Sequence, residues 1–252
     1  MHDVLKAPES KQTVWLLRKL VSLSDSALDR FLPSSAVLAE GEDVSAVTPW
    51  MSTVDSQLPR IREEARSVLD AIEALPRFGD VAKVGPGANL ETQWRLYPFI
   101  LMHRSLPTGL PTPVTQQVLG QIPDLVNGFF SILSPGTKLH AHHGTSRLLM
   151  RCHVGLCIPR DYEKCFFVVD GHKHVWKVGH KLLFDQTFEH YAVNNTEEYR
   201  AILILDVIRP ELPLPLRLLV SQVTYLLGFH REARHTVSNY RDMLKTLDQA
   251  AA

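Results

Sequence analysis

The sequence predicts an α+β fold whose core is an antiparallel barrel or jelly roll. Between residues 125 and 208, short segments rich in β-branched and aromatic residues follow one another closely, separated by turn sequences such as SPGT, DGH, VGH and NNTEE. Many short strands with turns at close spacing are typical of such a barrel. Helical patterns stand before and after this region and do not alternate with it, which favours α+β over a doubly wound α/β fold.

Residues 1–90 are expected to form a region of helices and loops that packs on the core. Residues 13–23, TVWLLRKLVSL, predict a short amphipathic helix that either docks on the domain or contacts a membrane surface. Residues 31–54 are mixed in character and predict a loop. A longer helix is expected over 56–75, where apolar residues recur at spacings of three and four and Pro59 fits the first turn.

Residues 91–212 are expected to form the β core. TQWRLYPFILM, residues 92–102, predicts a strand near a sheet edge, because Pro98 cannot donate a backbone hydrogen bond. VTQQVLGQI predicts a short helix. Further strands are expected at LVNGFFSIL, RLLMRCHVGLCI, CFFVVD, HVWKV, KLLFD, HYAV and RAILILDVI.

Residues 213–252 are expected to add C-terminal helices to what is one domain overall. Pro213 and Pro215 introduce a helical pattern at 216–229, LRLLVSQVTYLLGF, which is apolar around much of its circumference. Three interpretations stay open for this helix: packing in the core, a lid over an apolar substrate, or contact with a membrane. For the polar tail after this helix, the sequence predicts no structure beyond a helix.

Composition excludes several classes of protein. The chain has 252 residues with 27 basic and 27 acidic side chains, so no basic excess indicates nucleic-acid binding, and its 45% hydrophobic content can form a full core. The 3 cysteines form no CxxC pair and indicate buried small residues in a reducing compartment. Since the sequence has no signal-peptide pattern and no apolar run of about 18 residues, a soluble cytoplasmic protein with at most peripheral membrane contact is expected. The pattern does not predict an oligomeric state.

Alternation along residues 147–157 separates two faces of one predicted strand. One face is apolar throughout and is expected to pack against helices. The other face carries Arg151 and His153 and is expected to point into the barrel. Burying these two side chains requires an anion or a hydrogen-bond partner. A bound ligand would meet that requirement, and so would an acidic side chain of the barrel, with Asp185 and Asp206 as candidates.

Two histidines, His142 and His190, each lie at the end of a strand-like run and together suit a metal. Neutral imidazoles bind Fe(II), and two histidines with one carboxylate and open positions are typical of non-haem iron oxygenases. In many such enzymes the carboxylate lies two residues after the first histidine, where this chain has Gly144. His142 also belongs to a histidine-rich string, HAHHG, and such strings occur in ordinary exposed loops. From spacing alone both interpretations stay open.

Arg200 opens the apolar segment RAILILDVI, ten residues after His190. A hairpin across the NNTEE turn is expected to return the arginine close to that histidine. A guanidinium in this place suits a bidentate grip on a carboxylate. Ser131, within FFSIL, would add a hydroxyl donor.

Four motifs occur in order between Trp94 and Leu212. They are PGT with a histidine seven residues after the proline, RxH followed by GL, WxxGxxLxFDxxFEH, and an arginine ten residues beyond that last histidine. In this combination the chain resembles the aspartyl/asparaginyl β-hydroxylase family of Fe(II)- and 2-oxoglutarate-dependent oxygenases. That family includes bacterial lipid A and ornithine-lipid acyl hydroxylases.

The resemblance implies a double-stranded β-helix, the cupin-like form of the jelly roll. It implies Fe(II) at His142 and His190, with no further protein ligand and with glycine where other oxygenases have the acid. It implies O2 as a cosubstrate and 2-oxoglutarate held by Ser131, Arg151, His153 and Arg200. Asp185 and Gln186 are candidates for orienting His190 or a bound water from behind the metal ligands.

Two departures from the family pattern bear on the substrate. Some members that act on aspartyl residues have an arginine two positions before the RxH arginine, where this chain has Leu149. The position after Asp185, usually acidic in that group, is Gln186 here. Both changes weaken the case for an aspartyl substrate, and the run from VDGHKH to DVIRP looks closer to the acyl-chain hydroxylases.

The expected activity is hydroxylation of an unactivated C–H bond of a lipid acyl chain or a small metabolite, with release of succinate and CO2. The first alternative is an Asp/Asn side-chain β-hydroxylase. A radical halogenase is a further alternative, since an absent carboxylate also opens a position for chloride. The last is a non-catalytic barrel that binds a carboxylate ligand or a metal, and the joint presence of two histidines and two arginines argues against it.

Overall fold

In a computed structural model the chain is described over residues 32, 34–81, 93–107, 109–144 and 146–251. The helix predicted at 13–23 lies outside these residues. The helices and strands of the described part, in chain order, are β1 Val37–Glu40, α1 Asp43–Val47, α2 Met51–Asp70, α3 Phe78–Val81, β2 Trp94–Leu101, β3 Arg104–Ser105, α4 Pro113–Leu119, β4 Leu125–Leu133, β5 Thr137–His142, β6 Leu149–Cys157, β7 Cys165–Val169, β8 His172–Val175, β9 Lys181–Phe184, β10 His190–Asn194, β11 Arg200–Ile208, α5 Leu214–Leu227 and α6 Arg231–Ala251.

The strands form two antiparallel sheets. The larger sheet has the order β1-β9-β6-β11-β4-β2-β3, and the smaller sheet has the order β5-β10-β7-β8. From β4 to β11 the chain passes repeatedly between the two sheets, which is the topology of a double-stranded β-helix. The predicted α+β class with a jelly-roll core and flanking helices is therefore confirmed.

The strand predicted at 92–102 is β2, and it lies next to the edge of the larger sheet, as expected. Its pairing with β4 is irregular between Pro98 and Ile100. A proline lacks the N–H that a regular ladder needs, so it is accommodated where the ladder is interrupted. The two-residue β3 then forms the edge itself.

The prediction of a loop over 31–54 is wrong. This segment contains β1, the short α1 and the first turn of α2. β1 is a four-residue strand whose pairing with β9 depends on the rest of the fold, so its own sequence carries too little alternation to reveal it. The helix predicted at 56–75 is α2, but it begins at Met51 and has Pro59 in its interior. The buried side chains of Met51 and Val54 continue the apolar stripe upstream, and their packing offsets the backbone hydrogen bond that proline removes.

The predicted hairpin between His190 and Arg200 is also wrong, since β10 and β11 belong to different sheets. Asn194, at the end of β10, holds this crossing. Its amide donates to the carbonyl of Leu133 at 3.1 Å and to the carbonyl of Glu198 at 2.9 Å. The polar turn therefore ties β10 to the end of β4 and carries the chain across to the larger sheet.

Helix α5 begins two residues before the predicted 216–229 pattern and buries only its inner side. Val220 is buried in a cluster that includes Leu148, whereas Leu218 and Leu219 are 57% and 58% exposed. The core-packing interpretation therefore accounts for the inner side of α5 alone.

The polar tail forms the long helix α6. Its Tyr240 and Leu244 are buried in the main core, and Asn239 donates to the Val81 carbonyl of α3 at 2.9 Å. Within the ranges described, we find no helix with the length and apolar character needed to cross a membrane.

Candidate active site

Two histidines face each other across neighbouring strands of the smaller sheet. His142 ends β5, His190 begins β10, and the two are direct partners in the antiparallel register with ring centroids 4.2 Å apart. Nδ1 of His142 is hydrogen-bonded to the His140 carbonyl, and Nδ1 of His190 is hydrogen-bonded to the Phe188 carbonyl, each at 2.8 Å. Because a carbonyl only accepts, both rings carry their proton on Nδ1 and keep a lone pair on Nε2. Two neutral imidazoles with free Nε2 lone pairs on neighbouring strands could hold a metal ion.

The lone pair of His190 is buried. His190 is 3% exposed, and its Nε2 has no hydrogen bond to any residue that the structure describes. Burial lowers the pKa of His190 to about 3, and burial also lowers the pKa of the half-buried His142. Both rings are therefore neutral, which is the form that binds a metal. A buried acceptor without a partner is costly, and a bound metal would satisfy it.

Gly144, two residues after His142, leaves no space for a side chain. A Cβ there would lie 2.5 Å from Gln186 Cγ and 2.8 Å from the Gln186 carbonyl oxygen, to which the Gly144 N–H donates at 2.6 Å. Across the described residues, no three His, Cys, Asp or Glu side chains are grouped for metal binding. The site offers a metal two imidazoles, and Gln186 fills the place where a side chain at position 144 would begin.

Arg151 lies on the inner face of β6 and forms an ion pair with Asp206 on β11. The two residues are register partners, and Nε and Nη2 lie 2.6 and 2.9 Å from the two carboxylate oxygens. Asn127, the register partner of Asp206 on β4, donates to the same carboxylate at 2.9 Å. Of the two acids that the sequence suggested as partners, Asp206 is the one that pairs with Arg151. This two-point contact, called the fork below, holds the guanidinium in one orientation.

His153, two residues further along β6, is surrounded by aromatic rings. Its ring packs edge-on against Phe167 and Phe184, each at 4.9 Å between centroids. Burial, together with the charges of Arg151 and Arg200, holds the pKa of His153 well below its ordinary value. Its buried Nδ1 has no hydrogen-bond partner in the described part of the chain. His153 therefore enters the site as a neutral imidazole with an unsatisfied nitrogen.

Arg200 and Ser131 lie together on the inner side of the larger sheet. Nη1 of Arg200 donates to the carbonyl and hydroxyl oxygens of Ser131 at 2.9 and 3.3 Å, and Trp94 Nε1 donates to that hydroxyl at 3.0 Å. Arg200 is 1% exposed, and burial lowers its pKa to about 10. Its Nε lacks a partner among the residues described. A guanidinium buried this deeply is normally compensated by an anion.

Aromatic rings between the sheets connect these side chains. The ring of His190 lies 5.7 Å from Phe184, Phe184 lies 4.9 Å from His153, and His153 lies 6.0 Å from Trp176. The guanidinium of Arg200 lies over the Trp176 ring, 4.3 Å from its centroid. The structure thus brings the six predicted ligand residues to one region between the sheets: Ser131, His142, Arg151, His153, His190 and Arg200.

Asp185 contacts the turn that precedes His190. One of its oxygens accepts hydrogen bonds from Arg147 at 3.1 Å and Arg209 at 2.7 Å. The other accepts from the backbone and hydroxyl of Thr187 at 3.0 and 2.7 Å. Since Nδ1 of His190 already donates to a backbone carbonyl, Asp185 acts on that ring through the turn and not by direct contact.

His143 is set apart from the neighbouring His142. It is exposed, and its Nδ1 donates to the Thr187 carbonyl at 2.9 Å. The string HAHHG therefore contributes one histidine to the facing pair. Several residues around the site were not among those predicted to bind a ligand. They include Trp176, whose only sequence signal is its place at the start of WxxGxxLxFDxxFEH, and Asn127, which carried no signal.

A model of the family described as aspartyl/asparaginyl beta-hydroxylase matches residues 55–210 of this chain. The ornithine lipid ester-linked acyl 2-hydroxylase of Rhizobium tropici is 31% identical over 199 residues, which cover 73% of this chain and 70% of that protein. The aspartate beta-hydroxylase domain-containing protein 2 of Xenopus tropicalis is 35% identical over 156 residues, which cover 54% of this chain and 41% of that protein.

A solved structure of similar fold is a Pseudomonas putida prolyl-4-hydroxylase, with a TM-score of 0.42, 12% identity, and coverage of 64% of this chain and 98% of that chain. The family match runs from within α2 to the residues just after β11 and includes every residue of the site described above. The chain belongs to the aspartyl/asparaginyl β-hydroxylase family.

Proposed function

We propose that this protein is an Fe(II)- and 2-oxoglutarate-dependent hydroxylase. It acts on an unactivated C–H bond of a lipid acyl chain or a small metabolite, with O2 as oxidant and succinate and CO2 as further products. The observation that carries the proposal is the facing pair His142 and His190, neutral, with their Nε2 lone pairs free of the backbone contacts that Nδ1 makes. When bound, the iron and the 2-oxo acid supply the oxidising chemistry that protein side chains lack.

The side chains around this pair suit a dicarboxylate. Arg200 and Ser131 offer donors for the carboxylate distant from the metal, and Arg151 and His153 offer donors nearer the two histidines. The fork to Asp206 keeps Arg151 in place before any ligand arrives, so little side-chain freedom is lost on binding. The rings of Phe167 and Phe184, which pack against His153 and form an aromatic wall, exclude water from the same region, and this strengthens each of these contacts.

Two observations support an uncharged group as the part of the substrate that reacts. Leu149 is 8% exposed and packs in an apolar cluster with Leu148 and Ile208, so β6 presents no cation at that position. The similar protein of Rhizobium tropici is named as an acyl 2-hydroxylase. We therefore place an acyl chain ahead of an Asp or Asn side chain, which stays the first alternative.

The metal site is tested by spectroscopy without oxygen. Anaerobic protein with Fe(II) and 2-oxoglutarate is expected to give a visible charge-transfer band. His142→Ala and His190→Ala should each abolish the band, since each removes one of two imidazole ligands. His143→Ala is the matched control, because this exposed neighbour bonds the Thr187 carbonyl, and it should keep the band. A band of full intensity in His190→Ala would contradict the proposal.

The substrate class is tested by succinate release coupled to product mass. Wild-type protein is assayed with acyl lipids, free fatty acids, free amino acids and Asp- or Asn-containing peptides. We expect release above background with an acyl substrate and a product heavier by one oxygen atom. Release with the peptides alone would favour the side-chain β-hydroxylase, and a band without release from any substrate would favour a binding protein.

A further inference from the structure

We propose that Trp176 is a further ligand-binding residue of this site. Its indole Nε1–H donates a hydrogen bond to the distal carboxylate of the 2-oxo acid, the same carboxylate that Arg200 binds. The inference rests on the proposed function and deepens it, since it names a residue that selects a dicarboxylate over a 2-oxo acid with an apolar end.

Trp176 reaches the space between the sheets because two segments approach closely. After β8 the chain runs against β6, where the Gly155 N–H donates to the His180 carbonyl at 2.9 Å and the Gly179 N–H donates to the Gly155 carbonyl at 2.8 Å. A Cβ at position 155 would lie 2.0 Å from the Lys177 carbonyl oxygen, so only glycine permits this approach. Trp176 is 2% exposed, whereas the two residues after it are exposed.

The indole N–H is buried with no hydrogen-bond partner among the described residues. The same is true of nitrogens of three side chains in the connected set of rings, namely His153 Nδ1, His190 Nε2 and Arg200 Nε. Buried polar atoms are normally satisfied, so several unsatisfied nitrogens in one region indicate a polar ligand. The metal would take His190, and a carboxylate suits the donors beside Arg200.

Packing alone does not explain a tryptophan at this position. Phe167 and Phe184 fill the neighbouring wall without adding a donor that needs a partner. An indole adds an N–H, which usually finds a partner when it is buried. The ring face already contacts the Arg200 guanidinium at 4.3 Å from its centroid, so the ring orients the cation. An anion bound to Arg200 would therefore lie near this indole, and the indole N–H is assigned to that anion.

The test compares two 2-oxo acids on Trp176→Phe, a change that keeps a ring and removes the N–H. Dissociation constants are measured anaerobically from the Fe(II) charge-transfer band, with 2-oxoglutarate and with 2-oxovalerate, which has a methyl group in place of the distal carboxylate. We expect binding of 2-oxoglutarate to weaken about ten- to hundred-fold, the range for a hydrogen bond to a charged group. Binding of 2-oxovalerate should change less than about two-fold, since the lost donor has no carboxylate to meet.

Trp50→Phe is the matched control. Trp50 lines a separate cavity of about 240 Å³, and its substitution should leave both constants unchanged. If the wild type gives the band and Trp176→Phe binds 2-oxoglutarate as tightly as the wild type does, the assignment of Trp176 is wrong while the proposed function stands. The same holds if the substitution weakens the binding of both 2-oxo acids equally, because that result would indicate a general disturbance of the site. A wild-type protein without any band overturns the proposed function and the assignment together.

Discussion

Arg151 enters the site as one half of an ion pair. The carboxylate of Asp206 takes two of its nitrogens and is itself held by Asn127, so charge and orientation are set before a ligand binds. A lone arginine at this depth would need a counter-charge at all times. With Asp206 in place, the guanidinium stays compatible with a folded, ligand-free protein and keeps one orientation for an incoming anion.

This pairing predicts a large cost for Asp206→Ala. The substitution leaves a mostly buried guanidinium without its counter-charge, and we expect the free energy of unfolding to fall by roughly 3 to 5 kcal/mol. The measurement is urea unfolding of metal-free protein. The double variant Arg151→Met/Asp206→Leu should regain most of the loss, because it removes both charges.

Asp80→Ala provides the matched control for this series. Asp80 pairs with Arg77 at 2.9 Å, but both side chains are substantially exposed, so solvent already screens the pair. We expect no measurable change in the free energy of unfolding. An Asp206→Ala protein as stable as Asp80→Ala would contradict the view that the inner pair is needed for the fold.

At the scale of elements, the site depends on the close approach of the segment after β8 to β6. Gly155 permits this approach, and a side chain there would meet the Lys177 carbonyl. Backbone atoms cannot withdraw as a flexible side chain can, so the segment that carries Trp176 has to move when the glycine is lost. A shift of this segment would move the Trp176 ring away from the guanidinium of Arg200 and from the ring of His153.

Gly155→Ala is accordingly expected to lower the thermal unfolding midpoint by several degrees and to reduce the near-ultraviolet circular dichroism of the aromatic cluster. Gly120→Ala is the matched control, because its Cβ would meet only carbonyl oxygens at 3.5 Å, an ordinary contact. The control should behave like the wild type in both measurements. Equal midpoints for the two variants would show that the segment can shift without cost.

The sequence predicts those strands whose own residues alternate or are uniformly apolar. β4 and β11 coincide with LVNGFFSIL and RAILILDVI, because continuous apolar runs bounded by turn residues mark buried strands. β5, with the sequence TKLHAH and several exposed side chains, was not among the strands predicted, although His142 was expected to end a strand-like run. β1 was missed, since its pairing depends on a partner far along the chain.

The site was likewise predictable only where the signal lies within a short stretch of sequence. The motifs contain five of the six predicted ligand residues that the structure brings together, because each motif fixes a residue type at a known distance along the chain. The sixth, Ser131, lies outside the motifs and was predicted from the family resemblance. They could not tell that β10 and β11 lie in different sheets, since the NNTEE turn reads equally as a hairpin and as a crossing. They also could not place Asn127 beside Asp206, because that contact joins strands remote in sequence.

At the scale of the whole molecule, two facing sheets keep water away from the site histidines. Desolvation is the main reason why the pKa of His190 falls to about 3 and why the pKa of His153 lies well below its ordinary value. Burial thus has two consequences at once. It keeps the imidazoles neutral over the physiological pH range. It also means that, in acid, the unfolded chain binds protons at these histidines that the folded chain does not bind.

The second consequence predicts a measurable dependence of stability on pH. Below the ordinary histidine value of about 6.5, the unfolded chain binds a proton at position 153 and the folded chain does not, so stability is lost as the pH falls. His153→Gln removes this difference. In metal-free protein below about pH 6, the wild type should therefore lose roughly 1.4 kcal/mol more per pH unit than the variant. Urea unfolding of both proteins between pH 7.5 and 5.0 measures the two slopes.

The variant should still lose stability in acid, because His190 remains and contributes its own proton difference. Because the two proteins are compared by the slope of unfolding free energy against pH, a pH-independent loss of stability from replacing the ring does not affect the comparison. Parallel slopes would mean that folded His153 accepts a proton, which requires water or an anion at its Nδ1 in the absence of ligand. In that case the aromatic wall formed by Phe167 and Phe184 would not exclude solvent, and the low dielectric on which the arginine and tryptophan contacts depend would be absent.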